Sequence, residues 1–155
     1  MQTVAELIAE LPVFAGLAPE RLELVAGCAG TVRRRAGDEL FREGEPADAF
    51  YVLRAGAVAL ETRAPAGPPL VIETLHAGEV VGWSWLVPPY RWHFDGRAIE
   101  DVRAIGFDAA CLRGKADADP ALGYELLQRF AQVMVSRMQA ARLRLLDVYG
   151  TPVPQ

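Results

Sequence analysis

The chain has 155 residues, of which 52% are hydrophobic and 23% are charged, a composition typical of one soluble globular domain with a sizeable core. Its formal net charge of −4 argues against a sequence-independent nucleic-acid binder, because such proteins need a basic surface. The sequence contains no run of about 18 apolar residues, so it predicts no membrane-spanning helix. The N-terminus lacks the basic segment of a secretory signal. We therefore expect a cytoplasmic protein with no membrane partner.

Two cysteines, Cys28 and Cys111, stand far apart in the chain and form no Cys-x-x-Cys motif. Small domains that depend on disulfides carry denser sets of cysteines. The sequence therefore predicts two unpaired cysteines that are buried as small hydrophobic side chains, as in a reducing cytoplasm.

The chain begins with two helix patterns. Residues 3–11 carry apolar side chains at helical spacing, and Thr3 followed by Glu6 matches a capping box. Pro19 suits the first turn of a second helix.

Between residues 30 and 108 the pattern changes to short segments rich in β-branched residues, with turn residues about every 8–12 positions. This texture is typical of a β-barrel or sandwich. We predict strands near residues 31–35, 39–42, 49–54, 57–63, 69–75, 80–82, 93–100 and 102–107. Gly37, Gly44 and Gly56 are predicted to close tight corners between the first of these strands.

Two further helices are predicted after the last strand. Asp108 can cap a short helix that runs to Lys115. Asp119 and the proline after it start a long helix that reaches about residue 149, where Gly150 and Pro152 end it.

The long helix carries an apolar stripe whose members alternate at spacings of four and three. A period of 3.5 residues held this long is typical of a coiled-coil seam, so we predict a parallel homodimer through this helix. The alternative is that the stripe packs on the protein's own barrel. Both can hold at once, with the first half of the stripe on the barrel and the second half on a partner. The stripe consists of Leu127, Ala131, Met134, Met138, Ala141, Leu145 and Val148.

Several short motifs occur in a characteristic order: FAGL at 14–17, AGD at 36–38, FREGE at 41–45, FYVL at 50–53, Gly56, Val58, GEVVG at 78–82 and AIEDV at 98–102. Together with the helices that flank them, they resemble the cyclic-nucleotide-binding domain family, which includes the sensor domains of catabolite-activator and FNR-type regulators. The resemblance covers nearly the whole chain.

The resemblance implies a mainly β fold with flanking helices. The expected core is an eight-stranded double-stranded β-helix, that is, a jelly-roll-like β-roll, with N-terminal helices before it and a long C-terminal helix after it. We expect one domain over 1–155, with helices in 1–29, the roll in 30–108 and helices in 109–149. Residues 78–98 would form the family's phosphate-binding cassette.

In the family, a short cassette helix presents backbone N–H groups to the cyclic phosphate. A Glu directly after the second glycine binds the ribose, and an Arg about ten residues later pairs with the phosphate. This chain has Trp83 after Gly82. The expected arginine falls within residues 90–93, where Arg91 is the best candidate, and Arg97 is an alternative further along the next strand.

All three tryptophans lie in the cassette, together with Tyr90, His93 and Phe94. One interpretation is a pocket for a flat or apolar ligand with polar ends. The other is that the aromatic side chains fill the nucleotide pocket as core. The candidate ligand-binding residues are Gly82, Trp83, Ser84, Trp85, Leu86, Arg91, Trp92, His93 and Arg97. The implied ligands are cyclic AMP, cyclic GMP or a more apolar molecule, and no cofactor is required.

Several other polar residues have an ordinary structural interpretation. His93 is a conceivable haem ligand, but a lone histidine on a strand is more often a hydrogen-bonded core residue, so we expect no haem. His76 is predicted in an exposed turn. Asp95 is predicted to neutralise Arg91 and Arg97. The basic run at residues 33–35 is predicted to be a solvated strand edge.

No paired nucleophile, P-loop or metal-binding histidine cluster occurs in the sequence, so we expect no catalysis. Two hypotheses remain. The first is a stand-alone ligand sensor that signals through its C-terminal helix to an unidentified downstream protein. The second is a ligand-free, dimeric interaction module. Only residues 151–155 follow the long helix, so we expect no DNA-reading domain and no nucleic-acid partner for this chain by itself.

Overall fold

The computed structural model describes residues 2–149. Its eight strands form two four-stranded antiparallel sheets, with strand orders β1-β8-β3-β6 and β2-β7-β4-β5. The strands are β1 (Ala29–Arg34), β2 (Glu39–Phe41), β3 (Ala49–Ala55), β4 (Val58–Thr62), β5 (Leu70–Leu75), β6 (Val80–Val81), β7 (Asp95–Ala98) and β8 (Val102–Asp108). The helices are α1 (Val4–Ala9), α2 (Pro19–Ala26), α3 (Ala109–Ala118) and α4 (Pro120–Tyr149). The predicted β-roll with flanking helices is confirmed.

Glycine corners define the turns of the roll. Gly37, Gly44 and Gly56 have φ values of +95°, +87° and +88°, as their predicted corner positions require. Gly56 is the most restricted of them, because a Cβ atom there would lie 2.2 Å from the carbonyl oxygen of Asp101. The turn after β3 therefore packs directly on the turn between β7 and β8.

The predicted helix caps are present. The Thr3 hydroxyl accepts a hydrogen bond from the backbone N–H of Glu6, and the Glu6 carboxylate accepts one from the backbone N–H of Thr3. Asp108 accepts a hydrogen bond from the N–H of Cys111 and so caps α3, which continues to Ala118, three residues beyond the predicted end. The predicted stop signals after α4, Gly150 and Pro152, lie outside the described residues.

The core joins the two sheets and the first half of α4. Phe50 on β3 stacks on Phe107 of β8 with ring centroids 4.4 Å apart. The edge of Phe130 from α4 meets Phe50 at 5.1 Å, and Phe14 closes the other side against Phe107. One aromatic cluster thus binds the long helix to the roll.

The prediction of two unpaired cysteines is wrong. Cys28 and Cys111 form a disulfide that joins the residue before β1 to α3 across a sequence separation of 83 residues. Spacing in sequence gave no sign of this pair, because the two cysteines meet only when β1 pairs with β8 and α3 folds back. The cytoplasmic location stays a prediction, and it loses the support that unpaired cysteines would have given it.

The alternative interpretation, in which the apolar stripe of α4 packs on the roll at least in its first half, is wrong. The side chains that face the roll are Leu122, Leu126 and Phe130, all fully buried. Leu127 on the stripe is 53% exposed, and Met138 further along is 67% exposed. Among the residues of the stripe, Met134 alone is half-buried.

No helix within residues 2–149 is long and apolar enough to cross a membrane.

Candidate ligand site in the cassette

The cassette follows β6 as an irregular segment with one short helical turn. Gly82 has φ +103°, and a 3-10 helix spans Ser84–Leu86. Tyr90 has φ +58°, which is unusual for a residue other than glycine. Arg91 then forms an isolated β-bridge with Pro46 at the entrance to β3. The segment is thus fixed at both ends by the roll.

Trp92 fills the space that Gly82 leaves. The indole stacks on Phe41 of β2, with ring centroids 3.6 Å apart and an interplanar angle of 11°. Its ring atoms lie 2.5 and 2.6 Å from the point where a Cβ of Gly82 would stand. Phe41 in turn lies 2.4 Å from the corresponding Cβ position of Gly96 on β7. Two stacked aromatic rings therefore occupy the interior of the roll beside the cassette.

Trp85 is also part of the core. Its side chain is 1% exposed and stacks on Phe50 with centroids 4.6 Å apart. Its indole Nε1 has no hydrogen-bond partner among the described residues. Arg113 of α3 donates a hydrogen bond to the Trp85 carbonyl at 2.8 Å and lies over the ring of Tyr90 at 4.3 Å. This clamp from α3, which the sequence did not suggest, holds the cassette turn in place.

The two candidate arginines are engaged elsewhere. Arg91 is exposed and donates a hydrogen bond to the carbonyl of Gly44 at 2.8 Å. Arg97 forms a two-pronged ion pair with Glu61, with N–O distances of 2.7 and 3.2 Å. The hydrogen bond with Glu61, and then its negative charge, raise the pKa of Arg97 above its usual value. Glu61 is 6% exposed, so this arginine neutralises a buried carboxylate.

Asp95 does not neutralise Arg91 or Arg97, contrary to the prediction. Its carboxylate accepts a hydrogen bond from the backbone N–H of Glu43 at 2.8 Å and lies 3.5 Å from Arg63. It therefore fixes the turn at residues 43–45, which includes one of the glycine corners.

His93 is exposed, whereas the sequence favoured a core position. Its Nδ1 donates to the carbonyl of Arg91 at 3.1 Å and lies 3.5 Å from the hydroxyl of buried Ser84. His76 is exposed, as predicted. No group of three or more metal-binding side chains occurs within residues 2–149.

Trp83 is the cassette residue that contacts α4. The guanidinium of Arg137 lies over its indole ring, 5.1 Å from the centroid, and Phe94 meets the ring edge-on at 6.2 Å. The Nη1 atom of Arg137 is buried with no hydrogen-bond partner in the described part of the chain. Burial lowers the pKa of Arg137, and the negative charges of Glu73 and Glu79 oppose that effect.

A cleft of about 450 Å³ opens beside this contact, between α4, β5 and β6. Its polar side chains are Glu73, Glu79, Arg129, Gln132, Ser136 and Arg137, with apolar walls from Pro12, Val80 and Val133. Arg129 is already paired with Glu125. We call it the α4 cleft. Arg137 was missed at the sequence level, although it follows Val133 by one helical turn on the side of α4 that faces the roll.

The sequence-predicted site residues thus separate into three groups. Gly82, Ser84, Trp85 and Trp92 lie in the packed interior. Trp83 contacts α4, and Leu86 lines a second groove with Tyr90 and Arg113. Arg91 and His93 lie at the surface, and Arg97 is paired with Glu61. The residues that were expected to surround one pocket do not meet around one.

The family model described as the cyclic nucleotide-binding domain matches residues 31–119, more than half of the chain. The chain belongs to this family. It is a family of regulatory and sensory domains rather than of catalytic ones. The predicted resemblance is therefore confirmed.

Named relatives agree with the assignment. The CRP-like cAMP-activated global transcriptional regulator of Mycobacterium tuberculosis is 26% identical over 149 residues, which cover 96% of this chain and 65% of that protein. The chain thus spans somewhat less than two thirds of this relative. A putative cyclic nucleotide-binding protein from Geobacter metallireducens has a solved structure that is 26% identical, with a TM-score of 0.79 over 89% of this chain and 99% of that one. Acetyltransferase Pat of Mycolicibacterium smegmatis is 31% identical over 75 residues, only 48% of this chain and 22% of that protein.

Proposed function

We propose that this chain is a sensory module in which the cassette and α4 respond together to a small ligand. The observation that carries the proposal is the contact between Trp83 and Arg137, 5.1 Å from ring centroid to guanidinium carbon. It joins the segment that binds ligand in this family to the helix that leads away from the roll. A ligand that changes the position of Trp83 therefore acts directly on α4.

The ligand would bind in the α4 cleft rather than in the interior of the roll. Trp92 and Phe41 occupy the interior, and Arg91 and Arg97 already have partners. The cleft, at about 450 Å³, is within the range of small-molecule sites. Arg137 is a cation in this cleft that forms no ion pair with another described residue, so it is the candidate partner for an anionic group of the ligand.

Signalling requires that the ligand bind one arrangement of α4 more tightly than another. A ligand group that pairs with Arg137 would compete with the Trp83 ring for the guanidinium. Cation–π contacts contribute about 0.5–2 kcal/mol, whereas a hydrogen bond to a charged group contributes about 1.5–3 kcal/mol. The exchange is therefore close to balanced, as a reversible response requires.

Calorimetric titration with cyclic AMP and cyclic GMP tests the location of the site, with tryptophan fluorescence as a second readout. We expect Arg137→Gln to abolish any binding and Arg91→Ala to leave it unchanged. Arg142→Gln is the matched control, since it removes an exposed arginine from the same helix. Binding that survives in Arg137→Gln but is lost in Arg91→Ala would place the ligand at the family's usual position and contradict the proposal.

The signal would pass through a parallel homodimer of α4 to a downstream protein. The apolar stripe supports this, because Met138, Leu145 and Val148 are 67%, 59% and 71% exposed. Sedimentation analysis tests it: Met138→Glu should shift the chain to monomer. Gln139→Glu adds the same charge one position away from the stripe and should not. A monomeric wild-type chain at tens of micromolar would refute the dimer.

A second candidate function is that of a dimeric interaction module with no ligand. The stacked pair of Trp92 and Phe41 favours it, because the usual pocket is filled without any ligand. Flat titrations with both nucleotides, together with unchanged tryptophan emission, would favour this alternative.

A further inference from the structure

The basic run at residues 33–35 forms part of a larger cluster. Arg33 on β1 is the register partner of Arg103 on β8, so two arginines stand directly opposite one another on adjacent strands. Arg35 lies two residues beyond Arg33 at the end of β1, and all three are exposed. Together with half-buried Arg34 they line a depression of about 560 Å³, which we call the arginine depression. The sequence interpretation of a solvated edge did not include Arg103.

None of these four guanidiniums pairs with a carboxylate within the part of the chain that the structure describes. Asp38 and Asp101 also line the depression, but their oxygens accept backbone N–H groups of Arg35 and Ala36 at 2.8 and 2.9 Å. These carboxylates therefore fix the turn after β1 and form no direct ion pair with the arginines. Like charges directly opposite on paired strands destabilise a sheet, so the arrangement has an unfavourable component that a bound anion would remove.

The charge of the depression identifies the class of anion. Four guanidiniums and two carboxylates leave about two positive charges, in a protein whose formal net charge is −4. A phosphate monoester carries about −1.5 to −2 charges at neutral pH and three strong acceptor oxygens. A single carboxylate supplies half the charge and two oxygens. An extended polyanion would also reach the acidic remainder of the surface, which would repel it.

We infer that the arginine depression binds the phosphate monoester group of a small molecule. Planar guanidinium groups bind phosphate oxygens in pairs, and Arg33 with Arg103 can approach one phosphate from two strands. This site lies on the sheet β1-β8-β3-β6, and none of the residues of the α4 cleft lines it. It is therefore a second ligand site, and its test does not depend on the proposed function.

Phenyl phosphate is the probe, and phenyl sulfate, which has the same shape but one negative charge, is the matched ligand control. Amide NMR at constant ionic strength should show saturable shifts confined to β1, β8 and the turn at residues 35–38. Binding of phenyl phosphate should strengthen as pH rises from 5 to 7.5, because its second ionisation lies near about pH 6. Phenyl sulfate should bind several-fold more weakly and without this pH dependence.

Arg103→Gln should weaken binding of phenyl phosphate by roughly tenfold, and Arg33→Gln by a similar factor. Either change removes a like-charge pair, so folding should be unaffected or slightly improved. Arg63→Gln removes an exposed arginine just after β4 of the other sheet and should not change the binding of phenyl phosphate. The inference is overturned if the shifts fail to saturate, if Arg63→Gln weakens binding as much, or if phenyl sulfate or an acidic hexapeptide binds as tightly as phenyl phosphate.

Discussion

Truncation of Trp92 tests whether aromatic packing has replaced the ligand pocket of the roll. The side chain is 6% exposed and lies in face-to-face contact with Phe41 at 3.6 Å. Removing a buried aromatic side chain costs about 3–5 kcal/mol. Because the stacked partner also loses its contact, we expect Trp92→Ala to cost about 4 kcal/mol. A domain of this size has about 5–15 kcal/mol of stability, so the variant should still fold.

Urea denaturation followed by circular dichroism measures the effect without relying on tryptophan emission. With a slope of about 2 kcal/mol per molar urea, a loss of about 4 kcal/mol lowers the midpoint by about 2 M. Trp83→Ala is the matched control. Its half-buried ring contacts Arg137 and Phe94 and packs only partly against the core, so its truncation should cost less than that of Trp92, about 2 kcal/mol.

A small aromatic molecule should restore part of the lost stability. An apolar cavity of the size of an indole ring stays dry and takes up benzene-sized molecules. Millimolar indole should therefore raise the urea midpoint of Trp92→Ala and leave that of the wild type unchanged. The reasoning is refuted if Trp92→Ala costs less than about 1 kcal/mol, or if Trp83→Ala costs more than Trp92→Ala.

Three further predictions concern the backbone, one acid and the disulfide. Gly82→Ala should cost about 2 kcal/mol or more in urea denaturation, because φ is +103° and the new Cβ would meet Trp92; no loss would show that the turn can relax. Glu125→Gln should lower the melting temperature at pH 7 and lower it by less at pH 3. Burial raises the pKa of Glu125, but hydrogen bonds from two arginines outweigh it and leave the pKa below 4.5. The stabilisation by these two ion pairs is therefore full above about pH 4.5, and it is lost as the pH falls through the lowered pKa of Glu125 in the folded protein. Equal losses of melting temperature at both pH values would contradict this. Reduction of the disulfide Cys28–Cys111, or Cys111→Ser, should cost about 2–5 kcal/mol, whereas an unchanged midpoint with dithiothreitol would show that the bond adds nothing.

The roll was predictable because its signals are local. A glycine with positive φ at each corner and alternating apolar residues between corners specify strand ends within one or two positions. The helix caps at Thr3 and Asp108 depend on side chains only three residues away. The strand predicted over 93–100 loses the most length, since it is two residues shorter at each end, at Asp95–Ala98. The preceding residues belong to the cassette, whose path depends on Tyr90 in a backbone region that sequence pattern does not indicate.

The candidate site was less predictable because its contacts are distant in sequence. The density of aromatic residues indicated a crowded cassette, but not which ring would meet which partner. Trp92 meets Phe41 across the roll, and Trp83 meets Arg137 on the C-terminal helix. The same holds for the two cysteines. Each of these pairs depends on how the sheets close, which no local periodicity encodes.

The attachment of α4 shows where a signal from the cassette would act. The first half of the helix is held by Leu126 and Phe130 in the core, and by Arg129, which donates hydrogen bonds to the carbonyls of Val13 and Ala15 at 3.0 and 2.8 Å. Polar contacts tie the second half to the roll, among them the contact of Arg137 with Trp83 and a hydrogen bond from Arg144 to the β5 backbone at 2.6 Å. Buried apolar contacts resist displacement more than single polar ties do. A ligand in the α4 cleft would therefore move the second half of α4, which carries the exposed stripe, while the first half stays fixed.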